Sequence, residues 1–213
     1  MRTDDLVAML ANGAGAAAPM HAGRRMALAS TIGALTAAPL LIGWLGLNPE
    51  LAEAARLPMF WVKLGFAGAV AAGALAVTRR LARPGDRVQR ALCSLAVPFA
   101  LLWILAALVL AAAAPEAREE LVFGETWASC PINIALLSVP TFIAAFAAMK
   151  ALAPTRLVLA GASAGLLAGA VGAWVYTLHC PELAAPFLGL WYIFGMLIPA
   201  VIGALLGPRL LRW

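Results

Sequence analysis

The chain reads as an all-α integral membrane protein, a six-transmembrane-helix bundle with both termini in the cytoplasm. Three observations predict this. Hydrophobic residues make up 64% of the sequence and charged residues only 12%, with a mean hydropathy of +0.93. Six apolar stretches reach the roughly 20 residues that a helix needs to cross about 30 Å of hydrocarbon. The basic residues then segregate to one side of those stretches, as cytoplasmic loops do in membrane proteins.

The stretches run over about 26–47, 57–78, 91–113, 131–149, 157–178 and 185–206. Their Ala/Leu/Gly texture lacks the two-residue alternation of a lipid-facing barrel. The third is the clearest, since nothing charged lies between Arg90 and Glu116. The second contains Lys63, and the fourth only just reaches the required length. Flanking them are a cytoplasmic N-terminal segment, 1–25, and a short cytoplasmic tail, 207–213.

Orientation follows from the loops. Arg2, Arg24, Arg25, Arg79, Arg80, Arg83, Arg87, Arg90, Lys150, Arg156, Arg209 and Arg212 fall on one side. Arg56 and Arg118 fall on the other, beside Glu50, Glu53, Glu116, Glu119, Glu120, Glu125 and Glu182. The basic side is cytoplasmic by this asymmetry. The net charge of +5 is accounted for by the same rule and requires no direct nucleic-acid contact. A cleaved leader is the competing reading, with Ala52-Glu53-Ala54 as its small-residue site. The first apolar stretch, about 22 residues, exceeds the 7–15 of a leader's apolar region.

Small residues recur every four positions in two spans, Gly161, Gly165 and Gly169 and then Gly65, Ala69 and Gly73, and Gly195, Gly203 and Gly207 form a similar face in the sixth. These faces predict close helix packing, and Pro199 predicts a kink in the sixth span. Trp44, Trp61, Trp127, Trp174, Tyr176, Trp191 and Tyr192 gather toward the exported side, as an interfacial aromatic belt does. The other reading is the lining of an outward-facing pocket. Lys63 lies near the outer end of its span and is expected to snorkel to the headgroups. No span contains an acid to pair with it. That absence argues against proton-coupled transport, which relies on intramembrane ionisable groups.

The topology orders the three cysteines. Cys130 immediately precedes the fourth span and Cys180 follows the fifth, both on the exported side and both preceding proline; Cys93 sits near the start of the third span as a small apolar residue. An exported pair permits a disulfide, switchable or permanent. Metal binding by Cys130, Cys180 and His179, with Glu182 and Glu125 nearby, is a weaker third reading, because two Cys and one His match no recognised finger spacing. No HExxH or P-loop motif occurs, so no enzyme activity and no cofactor are expected. Quinone-linked thiol oxidoreductases carry CxxC-type pairs that are missing here.

On the cytoplasmic side, Thr3 is placed to cap a short helix, with Asp4 and Asp5 in its first turn. Leu6, Met9 and Leu10 then form an i, i+3, i+4 apolar stripe. A helix this short is marginal alone in water and would gain order by docking onto a partner.

The opening Thr3-Asp4-Asp5-Leu6-Val7-Ala8-Met9-Leu10, the outer Cys130-Pro131, the run His179-Cys180-Pro181-Glu182 and the ending from Gly203 to Trp213 resemble the NrsF-like family of bacterial membrane anti-sigma factors. The resemblance implies a six-helix, multi-pass inner-membrane protein. Such a protein holds an extracytoplasmic-function sigma factor inactive at the cytoplasmic face and releases it under stress. It also implies that Cys130 and Cys180 are the paired sensing cysteines and that Thr3–Leu10 is part of the sigma contact. A small transporter or a quinone-linked thiol oxidoreductase is the alternative from another functional class.

Overall fold

The computed structural model describes residues 3, 5, 7, 8, 22–82 and 88–212. Within them the chain forms six helices long and apolar enough to cross a membrane: α1 (Ala22–Trp44), α2 (Pro58–Leu81), α3 (Gln89–Ala112), α4 (Cys130–Lys150), α5 (Leu157–Tyr176) and α6 (Ala185–Leu210). The described residues contain no strand. α1 begins earlier than the apolar run suggests, because Arg24 and Arg25 join its first turn. Its end at Trp44 is followed by Gly46, whose φ of +79° is left-handed backbone that glycine adopts without cost. Prolines open α2, α4 and α6, where the missing N–H is not needed by the helix.

Packing is built around α5. Of its apolar window 72% is buried, against 17% for α3. α5 touches α6, α4, α2 and α1, whereas α3 leans on α2 and on the first turns of α6. The reason lies in its side chains, nearly all Gly, Ala, Ser, Leu or Val. Such residues let neighbouring backbones approach closely, and in lipid that van der Waals contact drives association. A Cβ on Gly161 would collide with the Gly203 carbonyl oxygen, and one on Gly203 with that of Gly161. Gly165 meets the Pro199 carbonyl in the same way, and Gly207 that of Leu157. Gly172 approaches α4, where a Cβ would stand 2.8 Å from the Ile134 carbonyl oxygen. Large apolar residues such as Leu35, Leu101, Leu108, Ile143 and Leu205 point outward and are exposed, as lipid-facing positions require.

The small-residue faces divide in their roles. Those of α5 and α6 pack as expected, except that Gly195 sits on the Ile134 side chain of α4. In α2, Gly73 meets Leu95, but nothing lies within 4 Å of where a Gly65 Cβ would be. Gly65 instead borders a cavity of about 250 Å³ between α2 and α3. Pro199 stays within the continuous helix Ile193–Leu210. The departure from α geometry in the sixth span is a π turn at Leu188–Tyr192.

Lys63 overturns the snorkelling expectation. It is 0% exposed and turns into the bundle. The aromatic belt also loses two members, since Tyr176 and Tyr192 are 1% and 0% exposed. Trp44, Trp61, Trp127 and Trp174 remain on the outside.

Gly161→Ala or Gly203→Ala should force the α5–α6 backbones apart and cost about 1–3 kcal/mol, the range for overpacking. Gly65→Ala should be neutral. Apparent melting temperatures of the detergent-solubilised protein check both, and a similar loss for Gly65→Ala would contradict the packing described.

Candidate functional site: a buried thiol pair held by Lys63

The chain crosses six times, so one end of the bundle gathers the C-terminus of α5, the N-termini of α4 and α6, and the short helices Leu51–Ala54 and Arg118–Phe123. The turn 178–182 between α5 and α6 is the centre of that end. Its backbone is spoken for at nearly every residue. The Leu178 carbonyl accepts from the Asn48 N–H at 3.0 Å. His179 Nδ1 meets the Gly46 carbonyl at 3.0 Å. Lys63 Nζ donates to the Cys180 carbonyl at 2.7 Å and to the Glu182 carbonyl at 2.9 Å. The Glu182 carboxylate accepts from the Glu125 N–H at 2.8 Å, the Thr126 N–H at 3.2 Å and the Thr126 hydroxyl at 3.3 Å. Two loops and one span thus converge on five residues.

Within this frame the structure brings Cys130 and Cys180 together. Both are free thiols, 0% and 2% exposed, and their side chains are hydrogen-bonded neighbours. That hydrogen bond lowers the Cys180 pKa below the ordinary thiol value; burial opposes it, and the nearby Lys63 ammonium adds to it. The Lys63 ammonium also stands over the Tyr192 ring, 5.0 Å from its centroid, a cation–π contact. The Tyr192 hydroxyl is buried close to Cys180 without an aligned hydrogen-bond partner. Tyr176 stacks loosely between His179 and Tyr192, at 5.5 and 6.0 Å between ring centroids. The arrangement is a dry pair of thiols beside a cation and a spare hydroxyl. Two neighbouring thiols are the substrate of a disulfide, whose formation depends on their Cα separation.

The remaining sequence candidates separate. His179 faces Gly46 and not the thiols, and Glu125 contributes its backbone N–H. Among the described residues no three His, Cys, Asp or Glu side chains converge in a metal-holding group. Cys93 is exposed and remote from the pair. Thr3 and Asp5 are helical and exposed, while Asp4, Leu6, Met9 and Leu10 lie outside the described residues.

Lys63 is the site residue that sequence reasoning misplaced. No acid within a span signals its partners, because the partners are main-chain carbonyls. The usable signal was the buried-charge rule itself: an intramembrane cation is costly and must be satisfied somewhere.

Glu182→Ala should leave the Glu125 and Thr126 donors without their acceptor. A loss of about 0.5–1.5 kcal/mol per hydrogen bond is expected, read as a lower melting temperature in detergent. An unchanged melting temperature would show that the carboxylate does not hold the turn.

The chain also matches known proteins along its length. It is 53% identical over 213 residues to the "Probable anti-sigma-F factor NrsF" of Azospira oryzae, with both chains covered in full. It is 39% identical to the "Anti-sigma-F factor NrsF" of Caulobacter vibrioides, again with full coverage of both. No solved structure matches it. Residues 10–213 match the family described as "Negative regulator of sigma F". With that family spanning almost the whole chain, and its curated relatives aligned end to end, the protein belongs to the negative regulators of sigma F.

Proposed function

We propose that this protein is an anti-sigma factor of the bacterial inner membrane. It binds an extracytoplasmic-function sigma factor at its cytoplasmic face and releases it when Cys130 and Cys180 react. The observation that carries the reading is the adjacency of two buried thiols at the acidic end of the bundle, joined to relatives named as anti-sigma-F factors. Arg24, Arg25, Arg79, Arg80, Arg90, Lys150, Arg156 and Arg209 cap the opposite helix ends. The positive-inside rule assigns that basic end to the cytoplasm, so the thiols lie at the exported end, where disulfides persist. No step of this role requires catalysis or direct contact with nucleic acid.

The chemistry is a two-electron oxidation. A peroxide converts one thiol to a sulfenic acid with release of water. The second thiol displaces the hydroxyl, forming the S–S bond and a second water. Tyr192, whose hydroxyl has no other aligned partner, supplies a donor for the oxidised sulfur. Release then requires that the dithiol and disulfide states bind the sigma factor with different affinities.

On the cytoplasmic side, the segment 1–25 recruits the partner through the stripe of Leu6, Met9 and Leu10, flanked by Thr3, Asp4 and Asp5. A detergent-extract pull-down should recover a sigma factor. Replacing Leu6, Met9 and Leu10 together by Ser should abolish that recovery, since each buried apolar side chain is worth roughly 1.5–3 kcal/mol. Wild-type recovery by the triple variant at normal membrane levels would remove the segment from the contact. Recovery of a quinone and no sigma factor would support the thiol-oxidoreductase reading instead.

Cys130→Ser and Cys180→Ser should each abolish induction of the sigma-dependent genes, and the double variant should be no worse. Sequestration in unstressed cells should persist. Transcript levels with and without oxidant check this, and normal induction in the double variant would refute cysteine sensing.

A further inference from the structure

Lys63 joins the cysteine turn to α2, and α2 has features that set it apart from the rest of the bundle. α5 and α6 interlock backbone to backbone through Gly161, Gly165, Gly203 and Gly207. Neither can slide past the other without carbonyl clashes, since packed interfaces shift between discrete arrangements and do not deform smoothly. α2 has no such lock on α5, since Gly65 meets nothing and Gly68 meets only the Trp174 side chain at 3.6 Å, and open volume lies along it. The cavity of about 250 Å³ is lined by Val62, Gly65, Phe66 and Ala69 of α2. A second, of about 520 Å³, is lined by Val77 and Leu81 of α2 together with residues of α3, α5 and α6. Of the helices around the centre, α2 has the room to shift.

Both ends of α2 are engaged. At the acidic end, Lys63 Nζ holds the carbonyls of Cys180 and Glu182 at 2.7 and 2.9 Å. At the basic end, the Arg79 side chain lies across the start of α1. A Cβ on Gly23 would stand 2.6 Å from Arg79 Nε and 2.7 Å from Nη2. Gly23 is where the N-terminal segment enters the first span. A fully buried ammonium cannot release its carbonyl acceptors without a large desolvation penalty. When the Cys180 backbone moves, Lys63 therefore moves with it.

We propose that Lys63 is a positioning residue that transmits the state of the thiol pair. It ties the Cys180–Glu182 turn to α2, whose displacement shifts Arg79 against Gly23 and changes the presentation of the N-terminal segment. The inference rests on the cysteine-sensing reading and supplies its route across the membrane. The route runs through α2, whereas the glycine contacts of α5 and α6 form the frame it moves against.

The test uses the full chain in native membranes with its sigma factor. In Lys63→Met, the thiols should still bridge under diamide, seen as loss of maleimide mass addition at Cys130 and Cys180. Sequestration in unstressed cells should persist. Induction by oxidant should fall by about tenfold or more, within the roughly 5–150-fold typical of coupled sites. Wild-type induction in Lys63→Met would overturn the inference, and so would loss of bridging, which would place Lys63 in the thiol chemistry itself. Normal induction in the Cys130→Ser, Cys180→Ser double variant would refute the sensing reading separately. Should Lys63→Met fail to accumulate, hydrogen exchange on the wild-type protein in nanodiscs decides. Diamide should alter exchange over 22–26 and 76–90, and identical exchange there would overturn the proposal.

Discussion

The bundle depends on a central helix with almost no side-chain bulk. α5 can be surrounded by α1, α2, α4 and α6 because Gly161, Gly165, Gly169 and Gly172 leave room for neighbouring backbones. In water, burial of large apolar residues would drive such an assembly. In lipid the hydrocarbon offers the same apolar surroundings outside as inside, so contact must come from close approach. Many large apolar side chains, Leu35, Leu101, Leu108, Ile143 and Leu205 among them, are accordingly on the outside. Everything at the acidic end follows from this placement, because the turn that carries Cys180 is the direct continuation of α5. A rigid central helix delivers that turn to the N-termini of α4 and α6 and to the loops before α2 and α4.

The same turn explains why a charge is tolerated inside the bundle. A lone ammonium in a span would ordinarily snorkel or neutralise. Lys63 does not snorkel, since two carbonyls and the Tyr192 face receive it. Hydrogen bonds to a charged group contribute more than neutral ones, about 1.5–3 kcal/mol each, yet removing one partner leaves a buried ion unsatisfied. Such a contact is stiff. It places the cation beside Cys180, favouring that thiolate, and it couples a loop to a span. Glu182 complements it: its carbonyl holds Lys63 while its carboxylate holds the loop before α4.

Much was legible in the chain before any coordinates. Hydropathy and span length required six helices, since water cannot satisfy the backbone in lipid and helices satisfy it internally. The arginine asymmetry divided the helix ends into a basic and an acidic set, and with it placed both paired cysteines at one end. The four-residue glycine spacing marked the packing faces of α5 and α6. These properties are local or additive along the sequence, so one chain suffices to read them.

Tertiary structure decided the rest. Periodicity shows that Gly65 and Gly161 each lie on a smooth face, but only the assembled bundle shows Gly161 against Gly203 and Gly65 beside open space. Tyr176 and Tyr192 have the composition of belt residues; burial against one another and Lys63 comes from the rotation of α5 and from the π turn of α6. Lys63 is the sharpest case. Its acceptors lie 117 and 119 residues away and are backbone carbonyls, which every residue carries. No residue type announces such a partner, so sequence alone determined that Lys63 was a cation within a span, and the fold alone determined what it holds.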